Sequence, residues 1–454
     1  MARFEITGGV ALNGVVRASG SKNAALPIMA AAILASEPVR LERVPQVVDV
    51  RTQARVLRRL GIRAVFLDAD TLSLETVDPT PVHAPERLVR RMRASFCALG
   101  PLLARRGRAV VPLPGGCNIG NRPVDLHLKG LAALGAVLRL ERGCVVARAR
   151  RLIGANIDLR GPSGPTVTGT ANVLGAAVLA RGATTIRNAA IEPEIVDLCR
   201  FLVALGARIE GQGTSTLHIE GVDQLGGTTH RLIPDRIEAA TLLMAAAVSG
   251  GSVTVEEVVP KHLDAVLEKL RAAGANLDVG EGRISISVRG RLRAIDIVAE
   301  PYPGVPTDVQ AQWTALASVA EGVGRVEDRV FPGRFLHIAE LNRLGAGIRC
   351  NKGTAIITGS NRLGGARVTA HDLRASAALV LAGLAAKGRT TVERIHHLDR
   401  GYERLDHKLQ QLGAKIVRIA NHSPSASIPS AVAASSSAAS SVASELPVRN
   451  ASSR

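Results

Sequence analysis

The stretch Leu202-Val-Ala-Leu-Gly206-Ala-Arg-Ile-Glu210 decides the fold, because it is one copy of a pattern that returns along the whole chain. Its first half places apolar residues at helical spacing, a glycine follows, and the residues after the glycine alternate as a strand does. Glycine after a helical run reads as a left-handed C-terminal cap, a conformation it adopts without steric cost. Close copies are Leu57-Arg-Arg-Leu-Gly61, Leu131-Ala-Ala-Leu-Gly135, Leu270-Arg-Ala-Ala-Gly274, Leu341-Asn-Arg-Leu-Gly345 and Leu409-Gln-Gln-Leu-Gly413. The six glycines are separated by 74, 71, 68, 71 and 68 residues, a period near 70. Six copies in register mark an internally repeated architecture.

Each unit also holds a helix built of small residues, expected over 22–34, 93–105, 170–180, 237–248, 309–320 and 373–386. Strand-like runs follow, such as Val39-Arg-Leu-Glu, Thr184-Thr-Ile-Arg, Ser252-Val-Thr-Val and Thr390-Thr-Val-Glu, before a second, more polar helix runs to the glycine. A unit of this length is too long for the common solenoid repeats, and its mixture of strands and helices excludes a helical array. The expectation is an α/β protein in which three units pack their Ala-rich helices inward beneath a shell of sheet. Six units then make two such domains around a cleft, where ligands usually bind.

Composition agrees with that plan. In 454 residues there are 57 Lys and Arg against 39 Asp and Glu, a formal charge of +18, and only nine aromatic residues. Single-strand nucleic-acid binders need stacking rings, so the basicity points to small anions and no nucleic-acid partner is expected. A hydrophobic fraction of 46% excludes wholesale disorder. Met1-Ala-Arg-Phe-Glu-Ile has no apolar signal region, no window is apolar enough to insert in a membrane, and none of the five cysteines falls in C-x-x-C spacing. A cytoplasmic protein with reduced thiols is expected. Residues 421–454, rich in Ser and Ala, read as a disordered tail; removing it leaves +17 on the rest.

Chemistry collects in two recurring slots. The first is the start of the small-residue helix: Ser21-Lys22-Asn23, Arg91-Met-Arg93-Ala-Ser95, Thr166-Val-Thr-Gly-Thr170, Pro234-Asp-Arg236, Pro306-Thr-Asp308 and Asp372-Leu-Arg374-Ala-Ser376. Unpaired N–H groups at a helix start suit anions, and added Lys or Arg strengthens that. The second slot is the connection before the polar helix. In the second unit it is the glycine-rich Leu113-Pro-Gly-Gly-Cys117-Asn-Ile-Gly-Asn-Arg122-Pro-Val-Asp125, which sets a thiol near a guanidinium and so favours the thiolate. The fifth and sixth units supply Val330-Phe-Pro-Gly-Arg334 and His397-Leu-Asp-Arg400-Gly-Tyr-Glu403. Cys97, Cys144, Cys199 and Cys350 read as packing residues. Gly20-Ser-Lys22-Asn23 lacks the spacing of a nucleotide phosphate loop, and His396-His397 lacks a third ligand, so it reads as a solvated pair and no metal is expected. The clusters around Arg90, Arg105 and Arg148 read as solvated faces or anion ligands.

At Ser19-Gly-Ser-Lys22-Asn23-Ala-Ala-Leu-Pro27, at Pro114 to His127, at Pro306-Thr-Asp308 and at Asp399-Arg400-Gly-Tyr-Glu403-Arg404 the chain closely resembles the enolpyruvyl transferases that act on UDP-N-acetylglucosamine. The likeness runs from about residue 4 to 419. It implies an inside-out α/β barrel of two domains, 1–21 with 232–420 and 22–231, the latter carrying the Cys117 loop. It also implies transfer of the enolpyruvyl group of phosphoenolpyruvate to the sugar 3-hydroxyl with release of phosphate, the first committed step of peptidoglycan precursor synthesis and hence of cell-wall biogenesis. Matched by position, Cys117 is the expected general acid and Asp308 the group that accepts the hydroxyl proton. Lys22, Arg122 and Arg400 are expected to hold the phosphate, Arg334 and Arg374 the carboxylate end, and Asn23 both substrates. Arg93, Arg122, Pro123, Val124, Asp125, Leu126, Thr166, Val167, Thr168, Asp308 and Val330 are expected to contact the nucleotide sugar. No cofactor is implied, and no protein partner is legible. The chain departs from the family pattern at Thr168, commonly Gly, at Gly164, often Lys, and at Gly333, usually Asn. Two alternatives are the sister reaction on shikimate 3-phosphate and a non-catalytic nucleotide-sugar-binding protein. The Cys117 loop and Arg122-Pro-Val-Asp125 argue against the first, and the retained Lys22, Cys117, Asp308 and Arg400 against the second.

Overall fold

A computed structural model describes residues 2–115, 123–162 and 164–420. The six glycines of the repeated pattern all adopt positive φ: 78° at Gly61, 89° at Gly135, 107° at Gly206, 103° at Gly274, 91° at Gly345 and 94° at Gly413. Each follows a helix, and the chain then enters a strand such as Arg208–Glu210, Gly347–Asn351 or Lys415–Ile419. Among the described residues the strands form five four-stranded sheets, one three-stranded sheet and a two-stranded ladder. In four of the four-stranded sheets an antiparallel hairpin joins a central strand whose other neighbour is parallel to it. Ser252–Glu256, for instance, pairs antiparallel with Arg283–Ser287 and parallel with Asn13–Arg17. In the fifth, Arg3–Thr7 and Lys415–Ile419 take the place of the hairpin.

The small-residue helices are buried nearly all round, which is how an Ala-, Leu- and Val-rich helix avoids water. In Arg236–Ser249 every residue from Arg236 to Ala247 is buried, and in Leu373–Ala385 every residue from Leu373 to Leu384. Several of their hydroxyls turn back onto their own helices: Thr241 donates to Ile237 O, Thr314 to Gln310 O and Ser376 to Asp372 O. The buried apolar residues form two clusters. One runs from Ala24 to Leu232; the other joins Phe4–Ala18 to residues between Ile237 and Ile416. Two antiparallel passages connect them, Ser21 N donating to Ile233 O and Asp235 N to Ser19 O.

Several expectations need correction. In the third unit the helix is Val167–Ala177, starting before Thr170, because Thr166 is the cap: its Oγ1 accepts from Gly169 N. The second-unit helix opens as a 3₁₀ stretch, Arg93–Ala98, and becomes α-helical at Leu99–Arg106. Cys350 is exposed rather than packed. It lies on the edge strand Gly347–Asn351, in which Ile348 alone is buried, and beside the turn that closes the hairpin. Cys144 is half-buried, while Cys97 and Cys199 are buried as expected. His396 is exposed, but His397 is half-buried and its Nε2 is enclosed without a partner among the described residues, so the two do not form a solvated pair. The expected tail, 421–454, lies outside the described residues.

Candidate active site

Four of the expected cations gather on two carboxylates. The first is Asp308, in the short helix Thr307–Val309 that leads into Gln310–Val319. Arg334 Nη1 donates to Asp308 Oδ1 at 2.8 Å, Arg374 Nη2 to Oδ2 at 2.9 Å, and Asn23 Nδ2 to Oδ2 at 3.4 Å. Burial would raise the Asp308 carboxyl, but Arg374, Arg334 and then Lys22 outweigh it and hold it well below the usual carboxylate range. Arg374 is 2% exposed and lies 5.3 Å over the Tyr402 ring. Its Nε and Nη1, and Arg334 Nε, have no hydrogen-bond partner among the described residues. Gln312 braces the site, donating to Asp308 O, Thr241 Oγ1 and Tyr402 Oη.

The second carboxylate is Asp49, in the first turn of Val48–Arg59. Arg400 grips it with Nε at 2.9 Å and Nη2 at 3.2 Å, and Lys22 Nζ stands 3.5 Å from Oδ2. Lys22 opens the Lys22–Ala31 helix, capped by Ser21, and its backbone N donates to Asp235 Oδ2. Sequence reasoning missed Asp49, since an acid in the first turn of an amphipathic helix ordinarily reads as a complement to the helix dipole. Its burial, at 4% exposed, was the missing signal. Arg236, which the sequence places in the helix-start slot, pairs with Glu194 in a two-pronged bridge (3.0 and 3.2 Å) across the two apolar clusters, a partner that the slot does not announce.

A separate group lies at the start of Val167–Ala177. Thr166 caps that helix, Val167 is exposed, and Thr168 Oγ1 is 3.2 Å from His127 Nε2. Arg93 Nη2 donates to Pro123 O at 2.9 Å. Val124 is half-buried, and Asp125 and Leu126 open the helix Asp125–Ala133. Val330 N donates to Asp328 Oδ1, as does Phe331 N, in a turn that also ties Asp328 to Thr307. Cys117 and Arg122 lie outside the described residues. Gly164 has φ 94°, a conformation that a lysine there would find strained, whereas a side chain at Gly333 would meet open space. Two cavities, about 170 Å³ beside Arg291 and Leu316 and about 400 Å³ beside Glu5 and Lys415, lie away from these groups. Among the described residues no group of three or more His, Cys, Asp or Glu could hold a metal ion, and no helix is long and apolar enough to cross a membrane.

Residues 6–424 match the family described as EPSP synthase (3-phosphoshikimate 1-carboxyvinyltransferase). The chain is 50% identical over 424 residues to the UDP-N-acetylglucosamine 1-carboxyvinyltransferases of Coxiella burnetii strains Dugway 5J108-111 and RSA 493, covering 93% of this chain and 97% of each relative. Among solved structures it resembles the enolpyruvyl transferase NikO from Streptomyces tendae, with a TM-score of 0.83 and 30% identity over 92% of this chain and 98% of that one. EPSP synthase from Acinetobacter baumannii shares the fold at a TM-score of 0.69 and 19% identity, over 92% and 100% of the two chains.

Proposed function

We infer the function from the premise that this chain belongs to the EPSP synthase family of enolpyruvyl transferases. It transfers the enolpyruvyl group of phosphoenolpyruvate to the 3-hydroxyl of UDP-N-acetylglucosamine and releases phosphate. The name of the relatives at 50% identity supports this acceptor over shikimate 3-phosphate, whose synthase is similar at 19%. The two buried clusters support reading 1–21 with 232–420 and 22–231 as two domains of an inside-out barrel. A cytoplasmic setting fits the two soluble anionic substrates.

The observation that carries the mechanism is that each expected cation pair is already occupied by a carboxylate. Arg334 and Arg374, assigned to the substrate carboxylate, hold Asp308; Lys22 and Arg400, assigned to the phosphate, hold Asp49. Phosphoenolpyruvate exchanges its own anions for these two. Preorganised guanidinium groups then stabilise developing charge with little rearrangement. Relieved of Arg334 and Arg374, Asp308 regains basicity and accepts the proton of the attacking 3-hydroxyl as its oxygen bonds to C2 of the enol. Cys117 supplies the proton to C3. Loss of a C3 proton and cleavage of the C2–O bond to phosphate restore the double bond and release inorganic phosphate. Lys22, Arg122 and Arg400 stay with the phosphate, and Asn23, Arg93, residues 122–126, Thr166–Thr168 and Val330 hold the nucleotide sugar. Phosphate release from phosphoenolpyruvate, assayed with UDP-N-acetylglucosamine and with shikimate 3-phosphate, tests the reading. Activity with the first acceptor is expected, and turnover only with the second, or with neither, overturns it.

A further inference from the structure

A chain of hydrogen bonds behind the Val167–Ala177 helix has a fixed direction. It begins at Gly100 N, which donates to Asn172 Oδ1 at 2.5 Å. A backbone N–H can only donate, so this contact identifies the amide oxygen and leaves Nδ2 as the donor end. Nδ2 donates to Phe96 O at 2.9 Å and to His127 Nδ1 at 3.0 Å. His127 therefore carries its proton on Nε2. The ring is 2% exposed, and burial, then Arg93, push its pKa down to about 3, so it stays neutral. Nε2 in turn donates to Thr168 Oγ1 at 3.2 Å.

Thr168 thus accepts from His127 and has its own hydroxyl proton to place. A helical threonine usually donates to the carbonyl four residues back, as Thr170 does to Thr166 O. Thr168 makes no such bond and has no other acceptor among the described residues. The backbone N–H groups of Val167 and Thr168, in the helix's first turn, likewise have no partner among them. Together with Arg93, close enough to act on His127, these are all donors, a set suited to an acceptor-only anion.

We propose that His127 and Asn172 are positioning residues that fix the Thr168 hydroxyl as a one-way donor, and that it donates to a phosphate oxygen of the nucleotide-sugar substrate. The proposal rests on the function inferred above and assigns a task to the one residue of the Thr166–Thr168 stretch that departs from the family pattern. Thr168→Val keeps the volume and removes the proton. It is expected to raise the KM for UDP-N-acetylglucosamine, and the Kd for uridine diphosphate alone in calorimetry, about tenfold, the worth of one hydrogen bond to a charged group. The KM for phosphoenolpyruvate should hold, and Thr168→Ser should restore most of the affinity. His127→Phe should weaken uridine diphosphate binding in the parent protein and add nothing to Thr168→Val. Unchanged affinity in Thr168→Val, an equal rise in both KM values, or a full His127→Phe effect on top of Thr168→Val would each overturn the proposal. Failure of the parent protein to turn over UDP-N-acetylglucosamine would instead overturn the function on which it rests.

Discussion

Asp308 shows how a single residue can be recognised from sequence while its environment is not. Pro306-Thr-Asp308 stands out as a helix-start slot, yet nothing local announces that residues 26 and 66 positions away will close on it. Asp49 was hidden for the same reason: its partners come from opposite ends of the chain, Lys22 and Arg400. If Asp308 holds the place of the substrate carboxylate, Asp308→Asn should separate binding from turnover. We expect kcat to fall by at least ~100-fold, as for loss of a general base, while calorimetry shows phosphoenolpyruvate binding no weaker than in the parent protein. Weaker binding would mean that Asp308 is not competing for Arg334 and Arg374. Two buried histidines give a second prediction. The pKa of His127 is pushed down to about 3 and that of His337 to about 4, each chiefly by burial. Unfolded, both titrate near 6.5, so between pH 6.5 and 4 the unfolded chain binds protons that the folded one refuses. Stability should therefore fall with acidification across that window, by ~1.4 kcal/mol per pH unit for each residue. Thermal unfolding should show the slope, and His337→Phe should flatten it, His397, also pushed down to about 4, being among the groups that keep part of it.

At the scale of elements the sequence was most legible where backbone geometry demanded one residue type. All six repeat glycines were identified, and all six are left-handed. Their surroundings nevertheless differ in ways that spacing cannot reveal. A methyl group on Gly135 would meet nothing within 4 Å, whereas one on Gly61 would lie 1.9 Å from Asp78 O. Gly135→Ala should thus cost only the left-handed penalty of ~1 kcal/mol. Gly61→Ala should cost clearly more, and chemical denaturation of the two variants compares them directly. The expected start at Thr170 lies three residues inside Val167–Ala177: Thr166 is the cap, and the Thr170 hydroxyl donates to Thr166 O one turn back. Cys350 was misjudged because strand alternation says which face a residue shares and not how far along that face the cover extends.

Across the whole molecule, the charge proves to be unevenly distributed. Residues 86–151 hold fourteen Lys and Arg and three acids, so they carry +11 of the +18. On the other sheets several outward arginines are matched by acids, as in Arg208–Glu220, Arg325–Glu327 and Arg367–Glu393. On the three-stranded sheet, exposed Arg108 stands directly opposite exposed Arg148, near Arg139, and none of the three has an ion pair among the described residues. Composition gave the total and could not locate it. Replacing Arg108, Arg139 and Arg148 by Gln should lower the salt needed to elute the protein from a cation exchanger more than replacing Arg208, Arg325 and Arg367, although both sets remove three charges. Equal shifts would show that the basic face has no separate influence. The arrangement of the chain in its two cores has a different consequence. One core is drawn from a continuous run, Ala24 to Leu232, whereas Arg3–Thr7 lies between Arg389–Glu393 and Lys415–Ile419. During synthesis the continuous core can close while the ribosome is still at work on the other. Arg3–Thr7 must wait, unpaired, for partners translated hundreds of residues later, so a segment that emerges early is among the last to reach its place.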